Sequence, residues 1–238
     1  MSYEVVFKRS SDMDINKKDF FCSWSGGKDS CMALYYAIQQ GGNPVLLFTI
    51  FEENGERSKS HWLIKDLIKA QSEALRLPIY TRQATWNTYE EEFIKGLKHI
   101  KNTNNIDYGV FGDIDIEDHR LWCEKVCQVA SMTQIHPLWQ KNRLEILNNF
   151  INAGFKAKIV VINTNMMSSK FIGRDIDLSL LEEIKTTGID PCGENGEYHT
   201  IVYDGPLFKN PVELKLGDTS FRDEYFFLDV SINLLQHQ

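Results

Sequence analysis

Phe20-Phe21-Cys22-Ser23-Trp24-Ser25-Gly26-Gly27-Lys28-Asp29-Ser30 is an apolar run that breaks at a glycine pair and passes at once into helical spacing, with Met32, Leu34, Tyr35 and Ile38 on the following stretch. A strand that turns through glycines into a helix is the repeating half-unit of a parallel α/β sheet. The same segment outlines an anion cradle. Adjacent glycines allow positive φ and let successive backbone N–H groups face one point, while the helix behind adds unpaired amides and the positive end of its dipole. Ser25 and Ser30 offer hydroxyl donors, and Lys28 offers a point charge for a phosphate oxygen. A glycine turn with Asp29 or Ser30 capping a helix is the plainer alternative, and the local chemistry favours phosphate over it. Only one residue separates Gly26 from Lys28, so this is not the G-x-x-x-x-G-K-[ST] nucleoside triphosphate loop.

Residues 20–24, 45–51, 79–82, 108–111 and 159–162 are predicted strands, and Leu63, Ile64, Leu67, Ile68 and later Trp122, Val126, Val129 recur at helical spacing. Val45-Leu46-Leu47-Phe48 has no polar alternation, as expected of a strand covered on both faces. The alternation predicts a parallel sheet with helices on its faces. After His136-Pro137 the pattern changes: a helix over about 144–153 ends at Gly154, and a strand follows. Residues 166–202 are rich in Gly, Asp, Asn and Ser, and the tail from Leu207 reads as short strands with turns at Asn210-Pro211 and Gly217-Asp218. The organisation expected is a nucleotide-binding domain over 1–136 and a smaller α/β domain over 137–238. The first nineteen residues read as a polar arm in which 3–7 is a candidate edge strand.

The 238 residues are 42% hydrophobic and 12% aromatic, enough to bury a core and to exclude disorder and coiled coil. Lys plus Arg number 26 against 33 Asp plus Glu, and the net charge of −7 lacks the broad positive field that phosphate backbones require, which disfavours nucleic acid as a main partner. The longest apolar run, 44–51, is too short to span a bilayer, and the start lacks a secretory pattern, so no membrane partner and a cytoplasmic location are expected. Five cysteines, an odd number in a mid-sized chain, suit free thiols in a reducing compartment. Cys123 and Cys127 lie i, i+4 on a predicted helix, but no second pair follows at zinc spacing, so both read as packing residues, as do Cys22 and Cys31.

Ser25-Gly26-Gly27-Lys28-Asp29-Ser30 after an apolar strand resembles the pyrophosphate-loop (PP-loop, N-type) ATP pyrophosphatases, whose fold is the parallel-sheet, Rossmann-like adenine nucleotide alpha hydrolase type. The resemblance implies ATP cleaved between its α and β phosphates, magnesium to screen the departing pyrophosphate, and adenylation of an acceptor. Four further segments follow in order: Ser58 to His61, Gly112-Asp113-Ile114-Asp115 before the Arg120 helix, Pro137-Leu138-Trp139, and Gly193-Glu194-Asn195-Gly196-Glu197-Tyr198-His199-Thr200. Together they resemble the diphthine ammonia ligase family over about 20–200. Asn195 stands where the eukaryotic enzymes tend toward glycine, a variant that resembles prokaryotic relatives.

That resemblance implies that a carboxylate, in the family diphthine on elongation factor 2, attacks ATP to give an acyl adenylate, and that ammonia then displaces AMP. On this reading Ser25, Gly26, Gly27, Lys28, Asp29 and Ser30 hold pyrophosphate. Thr49 and Ile50 read the adenine edge, and Ser60 and His61 wall the nucleotide. Asp29 and Asp113 hold the metal, and Asp29, Asp113, Glu194 and Glu197 do the chemistry. Asp113 at a strand end is equally a cap or turn residue, and Arg120 is equally a surface ion pair with Glu117 or Glu124. Trp139 reads as packing, Tyr198 as a ring-lined wall, and His199 as a solvated turn residue or a proton shuttle. A chain of this length holds no glutaminase, so ammonia is expected from solution or another protein, and a homo-oligomer is compatible. The rivals are a tRNA-modifying or thiolating enzyme on the same loop and an ATP-binding protein without turnover.

Overall fold

The computed structural model describes residues 14–59 and 61–233. Ser60 and the candidate edge strand at 3–7 therefore lie outside the described residues. Five strands, β1 (Asp19–Ser23), β2 (Asn43–Phe51), β3 (Ile79–Gln83), β4 (Tyr108–Val110) and β5 (Thr133–Ile135), form a sheet in the order β3-β2-β1-β4-β5. Every pairing in it is parallel. The chain moves outward through β2 and β3, then returns to the other side of β1 for β4 and β5. The crevice at the C-terminal ends of β1 and β4 is thus a topological switch point, where open α/β sheets bind their ligands.

Successive side chains of β1 go to opposite faces, as strand geometry requires. Phe20 and Cys22 join the core beneath α1 (Lys28–Gln39) and α2 (Lys65–Leu75), whereas Phe21 joins the one beneath α3 (Tyr89–Asn104) and α4 (Glu117–Val129). On that second face Phe48 stacks on Tyr80 at 5.6 Å, and Phe21 meets Phe111 edge-on at 5.8 Å. The short β5 lacks an apolar run, which is why pattern alone did not predict it.

The chain continues through α5 (Arg143–Asn152) into β6 (Lys156–Asn163), α6 (Leu178–Thr187), β7 (Tyr198–Asp204), β8 (Leu214–Arg222) and β9 (Tyr225–Ile232). Asp177 caps α6 by accepting from Leu180 N at 2.7 Å, and Gly188 ends it at φ 75°. The four strands make a second, antiparallel sheet in the order β7-β6-β9-β8. The turn expected at Gly217-Asp218 is a correction: these residues lie inside β8, at a register shift between Leu216 and Thr219. The chain reverses instead at Asp223-Glu224, where Asp223 has φ 53°. The second sheet is not tethered loosely. Val202 N donates to Gly26 O at 2.9 Å and Lys209 N to Ala74 O at 2.7 Å, and apolar residues of β6 and β7 share one core with α1 and α2. Among the described residues no helix is long and apolar enough to cross a membrane.

Candidate functional site

Gly26 and Gly27 are small for different reasons. Gly26 takes φ +85°, the left-handed turn expected of it, but Gly27 is extended at φ −96°, ψ 179°. At Gly27 a Cβ would lie 2.1 Å from the His61 ring, so the requirement there is room and not dihedral freedom. Gly27 is also the N-cap of α1 with no side-chain cap, so neither Asp29 nor Ser30 takes that role. Two amides expected to face an anion are held by side chains: Gly27 N donates to Ser25 Oγ at 3.2 Å and Lys28 N to Thr200 Oγ1 at 3.1 Å. Ser25 and Ser30 hydroxyls sit 3.1 Å apart.

Gln71, on α2 and 0% exposed, ties this loop to both sheets. Its Nε2 donates to Gly26 O at 2.9 Å and to Val202 O at 2.6 Å, and its Oε1 accepts from Trp24 Nε1 at 3.0 Å. Gln71→Leu leaves the buried Trp24 Nε1 without its acceptor, takes a donor from Gly26 O and Val202 O, and is expected to destabilise the fold by about 3 kcal/mol. Urea denaturation checks the stability loss, and a weaker ATP affinity in the folded variant checks the loop.

Lys28 is 4% exposed and turns away from the loop's mouth. Its Nζ bonds Asp29 Oδ2 at 2.7 Å and the Cys192 carbonyl, 5.2 Å above the Tyr198 ring. Burial works against the charge, but Asp29, Tyr198 and Cys192 outweigh it and hold the ammonium well above the ordinary lysine range. Burial pushes the Asp29 carboxyl up while Lys28 pulls it down. Asp29 Oδ1 is buried and has no hydrogen-bond partner among the described residues.

Two cavities meet here. One, of about 450 Å³, is lined by Ser25, Ser30, Thr49, Ile50 and the aromatic rings of Trp86 and Tyr89. The other, of about 390 Å³, is lined by Lys28, Cys192, Glu194, Tyr198 and His199 from the C-terminal turn. Asp29, His61, Gly112, Asp113 and His119 border both. Gly112 runs so close to α1 that a Cβ would lie 2.9 Å from Ser30 N, which fixes Asp113 across the crevice from Asp29. The structure therefore gathers every described loop residue except the two glycines onto a cavity wall, with Thr49, Ile50, His61, Asp113 and Glu194.

The two glutamates part company. Asp190 accepts from Cys192 N at 3.0 Å and Glu194 N at 2.6 Å, and Arg143 Nη1 bonds it at 2.6 Å, which shapes the turn. Glu194 faces the second cavity, and burial, with the nearby Asp29 charge, pushes its carboxyl up to about 8 against the pull of Lys28 and Arg143. Glu197 is 4% exposed, lines neither cavity, and accepts from Asn195 N at 3.1 Å and Asn195 Nδ2 at 3.0 Å. The expectation pairs it with Glu194 on ammonia; in the structure its carboxylate holds the turn. Arg120 pairs with Glu117 and with Glu124 at 3.1 Å and lies 5.5 Å over Trp139; neither Arg120 nor Trp139 lines a cavity.

His199 packs 4.8 Å from His61, whose Nδ1–H donates to Thr200 O at 2.8 Å. Burial lowers His61 to about 4 and His199 to about 3, so neither is the solvated histidine that a turn suggests. Both stay neutral in the fold below the pH near 6.5 at which an unfolded histidine takes a proton. Unfolding then takes up protons as pH falls from 6.5 toward 4, and stability is lost in that window. With both rings partly exposed, the expected loss between pH 7 and 5 is about 1 kcal/mol per ring. Urea denaturation at the two pH values should show it halved in His199→Asn.

Gln71 and Arg143 gave no sequence signal, because each acts on neighbours distant in the chain. Residues 20–134 match the family described as diphthamide synthase N-terminal domain, and residues 142–234 match the diphthamide synthase C-terminal domain. The diphthine–ammonia ligase of Schizosaccharomyces pombe is 28% identical over 80% of this chain, which spans only 35% of that protein's length. The diphthine–ammonia ligase of Rattus norvegicus is 27% identical over 87% of this chain and 86% of its own. The solved structure of the U34-tRNA thiolase NcsA from Methanococcus maripaludis, with its [4Fe-4S] cluster, aligns over 59% of this chain and 58% of its own at 16% identity and a TM-score of 0.38.

Proposed function

The chain belongs to the diphthamide synthase family, and we propose on that premise that it is an ATP-dependent carboxylate–ammonia ligase with diphthine on elongation factor 2 as acceptor. The observation that carries the chemistry is the meeting of two cavities at Asp29 and Asp113, one large enough for a nucleotide and one closed by the Glu194 turn. The acceptor carboxylate attacks the α phosphorus of ATP, the bond to the β phosphate breaks, and pyrophosphate leaves. Ammonia then attacks the acyl carbon and AMP leaves with the bonding pair.

In this reading Ser25, Asp29 and Ser30 face the pyrophosphate at the switch point, Gly26 and Gly27 let the loop turn there, Lys28 braces Asp29, and Thr49, Ile50 and His61 border the adenosine. Asp113 orients the acceptor. Glu194 takes the proton that ammonium must lose before its nitrogen lone pair is free, and Glu197 keeps Glu194 in place through the turn. Magnesium suits Asp29, whose unpartnered buried oxygen is the hard donor that ion requires, and when bound it would screen the charge of departing pyrophosphate. The reading divides the chain into a nucleotide unit over 1–136 and a smaller unit over 137–238, acting in the cytoplasm.

Exchange of labelled pyrophosphate into ATP tests it. Exchange is expected only with the acceptor protein present, with amide and AMP formed once ammonium is added. Tight ATP binding with no exchange on any acceptor would leave a nucleotide-binding protein without turnover, and copurified tRNA as the active acceptor would place the chain in the tRNA-modifying branch.

A further inference from the structure

We propose that Asp113, Cys123 and His136 form a three-donor site for a borderline transition-metal cation, zinc before others. The three come from separate elements: Asp113 follows β4, Cys123 lies on α4, and His136 follows β5. One donor atom from each lies within 4.8 Å of the others. Asp113 Oδ2 is 3.3 Å from His136 Nδ1 and 3.5 Å from Cys123 Sγ. Around a tetrahedral zinc with ordinary bond lengths, an oxygen stands about 3.3 Å from a nitrogen and about 3.5 Å from a sulfur.

A second observation is independent of those spacings. His136 is 1% exposed, and neither ring nitrogen makes a hydrogen bond among the described residues. Nδ1 approaches the carboxylate but does not line up as a donor to it, although the distance would allow one. A buried imidazole left in that state loses its solvation for nothing. The ring nitrogen, the Asp113 oxygen and the Cys123 sulfur are spaced to share one cation. The ring is fixed there by Phe111, stacked at 5.5 Å.

The donor set selects the ion. One sulfur, one imidazole nitrogen and one carboxylate oxygen suit zinc, whereas magnesium takes oxygen and keeps its waters. Asp113 and Cys123 both line the nucleotide cavity while His136 sits behind them, so a fourth coordination position opens into the cavity, as in catalytic zinc sites. His119 Nδ1, 3.7 Å from the other Asp113 oxygen, is placed to orient that carboxylate from outside. The inference does not rest on the ligase reading, since ion binding is measured without ATP or acceptor.

The full chain, stripped of metal by a chelator and dialysed, is titrated with cobalt(II). One equivalent is expected to bind with thiolate-to-cobalt absorption in the near ultraviolet, displaced by one equivalent of zinc and not by millimolar magnesium. Cys123→Val and His136→Asn should each weaken zinc binding at least about tenfold, and Cys127→Ala should not. Circular dichroism establishes that the variants fold. Should either misfold, X-ray absorption at the zinc edge of the wild-type protein decides, with one sulfur and the rest nitrogen or oxygen around the ion. Absence of the thiolate band, its persistence in folded Cys123→Val, or a zinc shell without sulfur would overturn the proposal and leave a plain trio of carboxylate, thiol and imidazole.

Discussion

Asp29→Asn is expected to lower acceptor-dependent pyrophosphate exchange by at least about a thousandfold in a protein that still folds, because a fixed charge at the reacting phosphates is removed while the shape is kept. Asp29 is the residue of the loop that borders both cavities and holds a buried oxygen without a partner. That oxygen is available to a cation on the phosphates, whereas its twin is committed to Lys28 at 2.7 Å. Asparagine keeps a carbonyl for Lys28 but not the charge. The ammonium is then left with the Cys192 carbonyl and the face of Tyr198, at a stability cost of about 2–3 kcal/mol. Two readouts separate the effects: urea denaturation gives the fold, and exchange at saturating ATP gives the chemistry. Exchange within tenfold of the wild type would mean that Asp29 serves the Lys28 pair alone.

The loop was legible because its chemistry is local. A strand, a glycine at positive φ and a helix start are nearest neighbours in the chain, so Ser25, Asp29 and Ser30 could be placed on one mouth from spacing alone. What the loop touches was not legible. Lys28 looked like a phosphate ligand because it follows the glycines, yet docking of the second sheet draws its ammonium to Cys192, 164 positions away. Gly27 looked like a second flexible residue, but it is constrained by the His61 ring, which reaches it only once β2 and α1 are packed. Asp113 was found at a strand end, where parallel sheets gather ligands. Its neighbours Cys123 and His136 follow from the order β1-β4-β5, which no pattern in the chain reveals. The likeness of the four downstream segments to a known family therefore identified the chemistry, while the division of labour among side chains had to come from packing.

The acidic pair shows the limit most directly. Glu194 and Glu197 are three residues apart, but Gly193 at φ 68° and Gly196 at φ 90° reverse the chain between and before them, so spacing could not tell which carboxylate meets the cavity. Glu194→Gln is expected to lower ammonia-dependent amide formation by about 10²–10³-fold while pyrophosphate exchange stays within a few-fold of the wild type. The pH dependence gives a sharper check. With its carboxyl raised to about 8, Glu194 is largely protonated at neutral pH, and its capacity to take a proton from ammonium grows as pH rises through 8. Stability must run the other way. The folded state keeps a proton that the unfolded chain releases near 4.5, so the stabilising protonation is complete below that value and is lost as pH rises toward 8. Folding stability should therefore decline between pH 6.5 and 8.5, and Glu194→Gln should flatten that decline and gain about 1 kcal/mol over wild type at pH 8. Glu197→Gln should do neither; it should weaken the Asn195 contacts and lower stability at every pH. A variant of Glu194 that lost exchange as well as amidation would place that residue with the nucleotide and not with the nitrogen nucleophile.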